Sequence, residues 1–569
     1  MRYKNQLRHY MSRYYFFVIL FVSLSVSVNC LGQDYLITVV GKTESETSLL
    51  NSLSFEEVIS KSDIAMFSSS LLNQLHQLGF LDAQVDISFL DESGSKITFE
   101  LGSQIKEVKV FTPADHEDLN FCVQTLHCNK NYVIIEFKNL TDYLKTLVTQ
   151  LSETGRPFSA AQLTQVRREG DDRLSADLEI VPSDVRRLDD IVIKGYDAFS
   201  KSFLHYYAQL RQGQKFGLDR VKEKVNSLNQ LGFVSISKDP AVLFTENRST
   251  LYIYVSKVKS NQFDGFIGFG RSEESGQSEV FGQVDLTLIN NLNYGETLRL
   301  LFKKQGNGQS EFDLNIKAPF ILKTPFSLDL NLNIFRKDSI FQTSQQSLGL
   351  IFHKNINWYY DLNFSTHKSS AITNQVNSVQ NYNSVFYGGG VSFNKRSESM
   401  SSLSYNSHFK IGGKIGHRYL RDGKVEQRSF HLKGQHEFNL NNRHSVYGNF
   451  ESAYLISDEY LTNEMYRIGG MNSLRGFEES SIETSGYSIV KSEYRFKLDQ
   501  STIIHSVLDI GIIDNVLYNS QNTFTGIGLG LARKEFNGVL KVQFVLGKIN
   551  NLPIKLSESK LHLSFLTQF

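Results

Sequence analysis

The sequence has little proline, almost no cysteine and no surplus of charge of either sign. Seven prolines stand against 42 phenylalanines and 26 tyrosines, a balance that suits strands and membrane interfaces. Sixty basic residues against 59 acidic ones give a net charge of +1, which excludes bulk electrostatic binding of nucleic acid. The mean hydropathy of −0.26 excludes a bundle of membrane helices. Enzyme signatures are missing as well. His436-Glu437 lacks the spaced second histidine of a zinc protease. Gly526, Gly528 and Gly530 alternate within a strand-like run and do not make a phosphate loop, and Gly170-Asp171-Asp172 is a hairpin turn. No cofactor, no metal and no catalytic residue is expected.

Only one long apolar run is present. Tyr15 to Val28 follows Arg2, Lys4, Arg8 and Arg13. This is the charge and length pattern of a secretory signal, and the run is short for a membrane span of ~20 residues. Residues 1–32 are therefore set apart from the fold, with cleavage near Cys30 to Gln33. Ser27-Val28-Asn29 is a poor lead-in for a lipoprotein site at Cys30. Cys122 and Cys128 then remain. In an exported segment they can form a disulfide; two buried free thiols fit equally, and one pair is not a metal site.

The first half repeats itself. Leu78-Gly79-Phe80 and Leu231-Gly232-Phe233 each close an amphipathic run, and Gly155 closes a third between them, so the glycines stand 76 and 77 residues apart. Each is a helix C-cap candidate. Flanking alternation, as in Ala83 to Phe89, Leu174 to Val181 and Ser249 to Val255, gives every unit the order strand, helices, strand, strand. The expectation is three α+β repeats, over 33–104, 105–184 and 185–260. An edge strand in such a module can pair with an extended peptide whatever its sequence.

From about Asn261 helical periodicity gives way to a period of two. Phe326, Leu328, Leu330, Leu332 and Ile334 interleave with Ser327, Asp329, Asn331 and Asn333. Runs of ~10 residues have the length of tilted membrane strands. Sixteen are read over 261–569, the ninth near 400–414 and the last at 560–569. An even number puts both barrel ends on one side. Long connections, Thr366 to Asn381 and Ile456 to Ser485, belong outside the cell and short turns on the side of the repeats. The chain ends with Leu561, Leu563, Phe565, Thr567 and Phe569 on one face.

One stretch departs from the alternation. Arg467 to Phe477 reads R-I-G-G-M-N-S-L-R-G-F. Gly469, Gly470 and Gly476 allow tight turns and close backbone approach, and Leu474, Arg475 and Phe477 can dock inside a barrel. With the repeats, the strand count and the terminal aromatic strand, this loop resembles the BamA/TamA superfamily, in which tandem POTRA domains precede a sixteen-stranded transmembrane β-barrel. The resemblance implies that the loop folds into the lumen and that Arg475 is received by Asp509 and Gly511 on the thirteenth strand. Val507 departs from the aromatic or glycine usual two positions before that aspartate. Glu493 on the twelfth strand is a further acidic candidate. A solvated loop arginine is the plain alternative. The resemblance also implies a lateral seam between the first strand, with Gly265, Gly268 and Gly270, and the last, with Leu561, Leu563, Phe565 and Phe569. The implied function is insertion or translocation of unfolded outer-membrane or secreted clients, with the repeats in the periplasm, accessory partners at hand and no nucleotide needed. A two-partner-secretion pore and a passive porin or receptor are the alternatives.

Overall fold

The computed structural model describes residues 34–53, 58–60, 63–91, 94–115, 119–271, 278–305, 308–372, 378–395, 403, 405–535 and 538–569. The expected signal segment lies outside them. Two compact units are distinguished, Met1–Arg186 with Lys215–Leu218, and Arg187–Gln214 with Asp219–Phe569.

The first unit holds two α+β segments. One contains β1 (Asp34–Gly41), α1 (Glu44–Asn51), β2 (Val58–Ser60), α2 (Ile64–Gln77), β3 (Gln84–Asp91) and β4 (Gly94–Glu100), with sheet order β2-β1-β4-β3. Thr43 and Glu46 form a capping box at the start of α1. Leu71 and Leu75 of α2 pack on Ile37, Val39, Ile97 and Phe99. The other contains β5 (Glu107–Phe111), β6 (His127–Cys128), β7 (Tyr132–Glu136), α3 (Leu140–Glu153), β8 (Ala160–Arg168) and β9 (Arg173–Val181), in order β6-β7-β5-β9-β8. Tyr143 and Leu147 of α3 cover Val108, Val110, Val133 and Ile135.

The second segment corrects the expected repeat pattern. Among its described residues no α-helix stands between β5 and α3, only a 3-10 turn at Phe137–Asn139 that leads into α3. Cys122 and Cys128 are disulfide-bonded there with their Cα atoms 5.5 Å apart, whereas a continuous α-helix would set them about 9 Å apart along its axis. Asn129 Oδ1 then accepts from the N–H groups of Asn131 and Tyr132, a turn that favours the β6–β7 pairing over a helix.

The second unit opens with β10 (Asp190–Lys194), a π turn at Phe203–Tyr207, α4 (Leu218–Asn226), β11 (Val234–Phe244) and β12 (Ser249–Lys257), in sheet order β10-β12-β11. The three repeat glycines, Gly79, Gly155 and Gly232, have φ of +100°, +100° and +81°, the left-handed region that ends a helix cheaply.

A closed antiparallel barrel of sixteen strands follows. Its strands are β13 (Gln262–Arg271), β14 (Ser278–Ile289), β15 (Thr297–Lys304), β16 (Gln309–Ala318), β17 (Phe326–Lys337), β18 (Phe341–His353), β19 (Trp358–Ala371) and β20 (Tyr382–Lys395). They continue as β21 (Ser407–Leu420), β22 (Gly423–Asn439), β23 (His444–Ser457), then, after a small hairpin of β24 (Tyr466–Ile468) and β25 (Ile482–Thr484), as β26 (Gly486–Lys497), β27 (Thr502–Asn515), β28 (Ser520–Glu535), β29 (Gly538–Ile549) and β30 (Lys560–Gln568). The ninth strand starts at Ser407, not near 400, and runs six residues past the expected end. Leu403 and Tyr405 are instead carried into the barrel, Leu403 buried and Tyr405 half-buried.

The barrel is inside out relative to a soluble core. On β27, Ile504, Leu508, Ile510 and Ile512 are exposed, while His505, Val507 and Asp509 are buried. The outward row continues around the wall through Leu330, Leu348, Leu362, Ile415 and Leu529. An exposed apolar band of that extent over a polar interior is a lipid-facing surface. Among the described residues no helix is long and apolar enough to cross a membrane; crossing is done by strands.

The third α+β segment sits on three barrel turns. Tyr196 Oη donates to Asn293 Oδ1 at 2.6 Å, Tyr206 Oη to the Lys323 carbonyl at 2.6 Å and Gln209 Nε2 to the Lys354 carbonyl at 3.2 Å. Phe203 meets Phe320 edge-on at 5.0 Å. These turns lie at the end of the barrel where β13 begins and β30 finishes.

Candidate functional site: a docked lumen loop beside a weak seam

The connection between β23 and β26 turns back into the barrel. Its β24–β25 hairpin pairs Tyr466 with Thr484. Ile468 and Leu474 pack with Tyr487, Ile489, Ile513 and Phe524 of the wall, and Phe477 meets Phe524 at 5.2 Å. Apolar side chains thus bury on an inner surface that is largely polar. The loop carries its own apolar core and finds its partners inside the barrel.

At the tip, Arg475 is 4% exposed and is enclosed by two carboxylates, Asp509 at 0% and Glu493 at 2%. Nε donates to Asp509 Oδ2 at 2.9 Å and Nη2 to Oδ1 at 2.5 Å, while Nη1 donates to Glu493 Oε1 at 2.5 Å. The Arg475 backbone N–H also donates to Asp509 Oδ2, at 2.9 Å. A planar guanidinium uses both edges of its fork here, which an ammonium cannot do. Glycine supplies the clearance. A Cβ at Gly526 would collide with the Arg475 carbonyl oxygen, and one at Gly476, where φ is +90°, would come within 3.0 Å of the Gly547 nitrogen. Gly511 leaves room for Leu474. Gly469 and Gly470 both have positive φ and turn the chain into the tip.

A second anchor holds the base of the loop. Arg418 is fully buried and reaches Glu464 Oε1 at 2.5 Å. Gln427 Nε2 donates to the other oxygen of Glu464 at 2.9 Å, and Asn463 Nδ2 donates to Ser369 Oγ at 2.7 Å. Neither Arg418 nor Glu464 is conspicuous in the sequence. The only available signal is that Arg418 falls on the inward phase of β21.

The loop also touches the closing strands. Gly476 N–H points to His562 Nε2 at 3.5 Å, and Lys560 Nζ lies 2.9 Å from Glu478 Oε1. Where β13 meets β30, register pairing covers only Gln262 with Gln568 and Phe263 with Thr567, extended by one backbone bond from Phe569 N–H to the Asn261 carbonyl at 3.0 Å. Gly265, Gly268 and Gly270 pair with β14 on their other side, whereas Leu561, Leu563 and Phe565 pair with β29 and expose their side chains. Every other neighbouring pair in the barrel is registered over eight to fourteen positions. A cavity of about 790 Å³ lies inside this seam, lined by Asp264, Arg299, Glu479, His562 and Leu566 among others.

Among the described residues no group of three or more His, Cys, Asp or Glu side chains is placed to hold a metal ion.

No family model and no curated protein matches the sequence. Solved structures do. BamA from Haemophilus ducreyi lacking POTRA domains 1–3 superposes with a TM-score of 0.51 at 15% identity, over 82% of this chain and 100% of that one. CdiB from Acinetobacter baumannii gives 0.49 at 15% identity over 90% and 100%, and CdiB from Escherichia coli gives 0.48 at 13% over 90% and 98%. The chain has the fold of the BamA-type barrel with POTRA-like α+β segments before it.

Proposed function

We propose that a chain with this BamA-type fold is an outer-membrane factor that inserts or translocates other polypeptides. The observation that carries the reading is the seam: a barrel closed everywhere else by long ladders is closed there by two registered pairs. Unpaired N–H and C=O groups along the rest of β13 and β30 offer a template on which a client strand can form. Opening toward lipid then releases the client sideways. Nothing in this scheme consumes a nucleotide or forms a covalent intermediate, so the protein acts as a catalyst of folding and not as an enzyme.

In this reading the three α+β segments are POTRA modules, with boundaries at 33–104, 105–184 and 185–260, and face the periplasm. Client capture by strand addition fits β8 best in the second module. β8 is a nine-residue edge, whereas the opposite edge is the two-residue β6. Arg475, Asp509 and Glu493 fix the lumen loop against β26 and β27, and through Gly476, His562 and Lys560 the loop steadies the last strand. Clients are unfolded outer-membrane or secreted proteins, and accessory proteins deliver them.

The test is reconstitution in liposomes with an unfolded outer-membrane barrel as client. Folding faster than in empty liposomes, lost when Phe263→Cys and Thr567→Cys are joined by a disulfide and regained on reduction, is expected. A locked form as active as the open one removes the seam from the mechanism. No acceleration together with steady conductance points to a translocation pore or a porin.

A further inference from the structure

We propose that Glu478 and Glu479 of the lumen loop are an ionic clasp across the seam, holding β30 with one carboxylate and β15 with the next. They are positioning residues for the opening that insertion requires, and their part in it rests on the seam reading given above.

The seam is closed unevenly along its length. Its registered pairs, Gln262 with Gln568 and Phe263 with Thr567, lie at the end where β13 begins and β30 finishes. Toward the other end, where β13 and β15 finish and β30 begins, no ladder joins β13 to β30 among the described residues. The loop reaches the wall at that end. Lys560, the first residue of β30, donates to Glu478 Oε1 at 2.9 Å, and Lys303, next to the last residue of β15, donates to Glu479 Oε1 at 2.7 Å. Along the wall β30 and β15 stand three strand spacings apart, about 14 Å, with β13 and β14 between them. Two adjacent residues of one loop thus join strands on opposite sides of the break. Gln305 beyond β15 and Lys560, Leu561 and His562 of β30 line one cavity of about 360 Å³ together with both glutamates, so the carboxylates stand between the two flanks.

The placement of the pair is built into the loop. A Cβ at Gly470 would collide with the Glu479 carboxylate, and one at Gly469 with the Glu478 carbonyl oxygen. These two glycines let the incoming limb of the loop lie against the outgoing one at the clasp. Beyond it, Lys337 Nζ of β17 donates to Glu483 Oε1 at 2.7 Å, which ties the outgoing limb to the wall on the β15 side. The two arms differ in shielding. The side chains of Lys303 and Glu479 are 15% and 33% exposed, those of Lys560 and Glu478 36% and 68%. Water and salt screen the second arm, so the arm to β15 decides. When it is lost, the seam relies on the short ladder at its other end.

Spin labels at Phe302→Cys and Leu561→Cys, outward-facing positions of β15 and β30, read the width of the seam in bilayers with no client present. Double electron–electron resonance should show a long-distance population several-fold larger in Glu479→Gln than in wild type. Lys303→Gln removes the same bond from the wall side, should do the same, and decides if the first variant does not fold. Glu478→Gln should widen the seam less, and high salt should bring wild type toward Glu478→Gln and not toward Glu479→Gln. The exchanged pair, Lys303→Glu with Glu479→Lys, should restore the narrow distribution. A distribution unchanged in both Glu479→Gln and Lys303→Gln overturns the clasp, and an exchanged pair that restores nothing overturns its ionic basis. Client folding is measured separately: a seam widened in Glu479→Gln with insertion rates unchanged keeps the clasp and removes the seam from the proposed function.

Discussion

Replacing Arg475 by alanine should do far more than remove a surface charge, and the geometry sets the scale. The substitution deletes four side-chain bonds, three to Asp509, where Nε is shared between both oxygens, and one to Glu493. Glu493 keeps Arg495 nearby at 3.8 Å, but Asp509, fully buried, keeps one hydrogen bond, from the backbone N–H of residue 475, and the more distant charge of Lys491. Breaking a buried pair by removing one partner costs about 3–5 kcal/mol, because the remaining charge is left uncompensated. At 1.4 kcal/mol per decade, the docked population of the loop falls by roughly two to three and a half decades. An internal comparator is available. Arg428 and Glu426 form an ion pair of similar length, 2.8 Å, whose side chains are 66% and 56% exposed. Arg428→Ala should leave the midpoint close to that of wild type, because water and salt screen an exposed pair. The assay is the urea midpoint for loss of the compact, heat-modifiable form in detergent, measured for both variants beside wild type. Arg475→Lys should fall between, since a point charge cannot satisfy both carboxylates. A midpoint for Arg475→Ala equal to that of Arg428→Ala would refute the claim that the buried fork holds the loop.

Three further outcomes follow from separate contacts. Gly526→Val puts carbon where the Arg475 carbonyl oxygen lies, so it should undock the loop as Arg475→Ala does while leaving every charge in place; wild-type trypsin resistance at Arg475 in that variant would contradict the close approach. Joint replacement of Cys122 and Cys128 by alanine opens a small ring and should lower the stability of the second α+β segment by about 2 kcal/mol on the chain-entropy estimate, seen as faster amide exchange at Val133 and Ile135 in the full-length protein and not at β1 or β4. Burial alone would raise the pKa of Glu46, but hydrogen bonds from the Leu101 and Thr43 N–H groups outweigh it and hold the carboxyl below its usual range. Its contribution is therefore complete above the unfolded-state pKa and is lost as pH falls through the lower folded value. Exchange at the Leu101 amide should quicken with acid relative to Glu46→Gln, and a pH profile identical to that of the variant would remove the carboxylate from the account.

Strand phase was legible because the barrel repeats it. Alternation at a period of two needs no knowledge of the partner strand, and β30 ends within a residue of its expected bound. The places where the sequence misleads are those where a side chain answers to something far away. Tyr405 sits in an alternating stretch and looks like strand, but Arg495, Lys541 and Tyr447 draw it into the lumen, and no local pattern carries that information. Arg475 and Asp509 were paired by resemblance, not by spacing, and they are in contact. Arg495 could have been suspected from the residues alone. It stands two positions after Glu493, so both side chains face one side of β26, and a second inward arginine beside an inward glutamate in a polar lumen implies another acceptor. Glu437 and the Leu403 carbonyl are those acceptors. Gly526, Gly528 and Gly530 show the same limit from the other side. Their alternation excludes a nucleotide loop, but only the folded barrel shows that two of them make space, for the Arg475 carbonyl and for the His505 ring. Inward glycines on a lumen wall therefore carry positional meaning of their own: they mark where another part of the chain must come close, and Gly526 with Gly547 on the next strand gives the loop tip its clearance beside the closing strands.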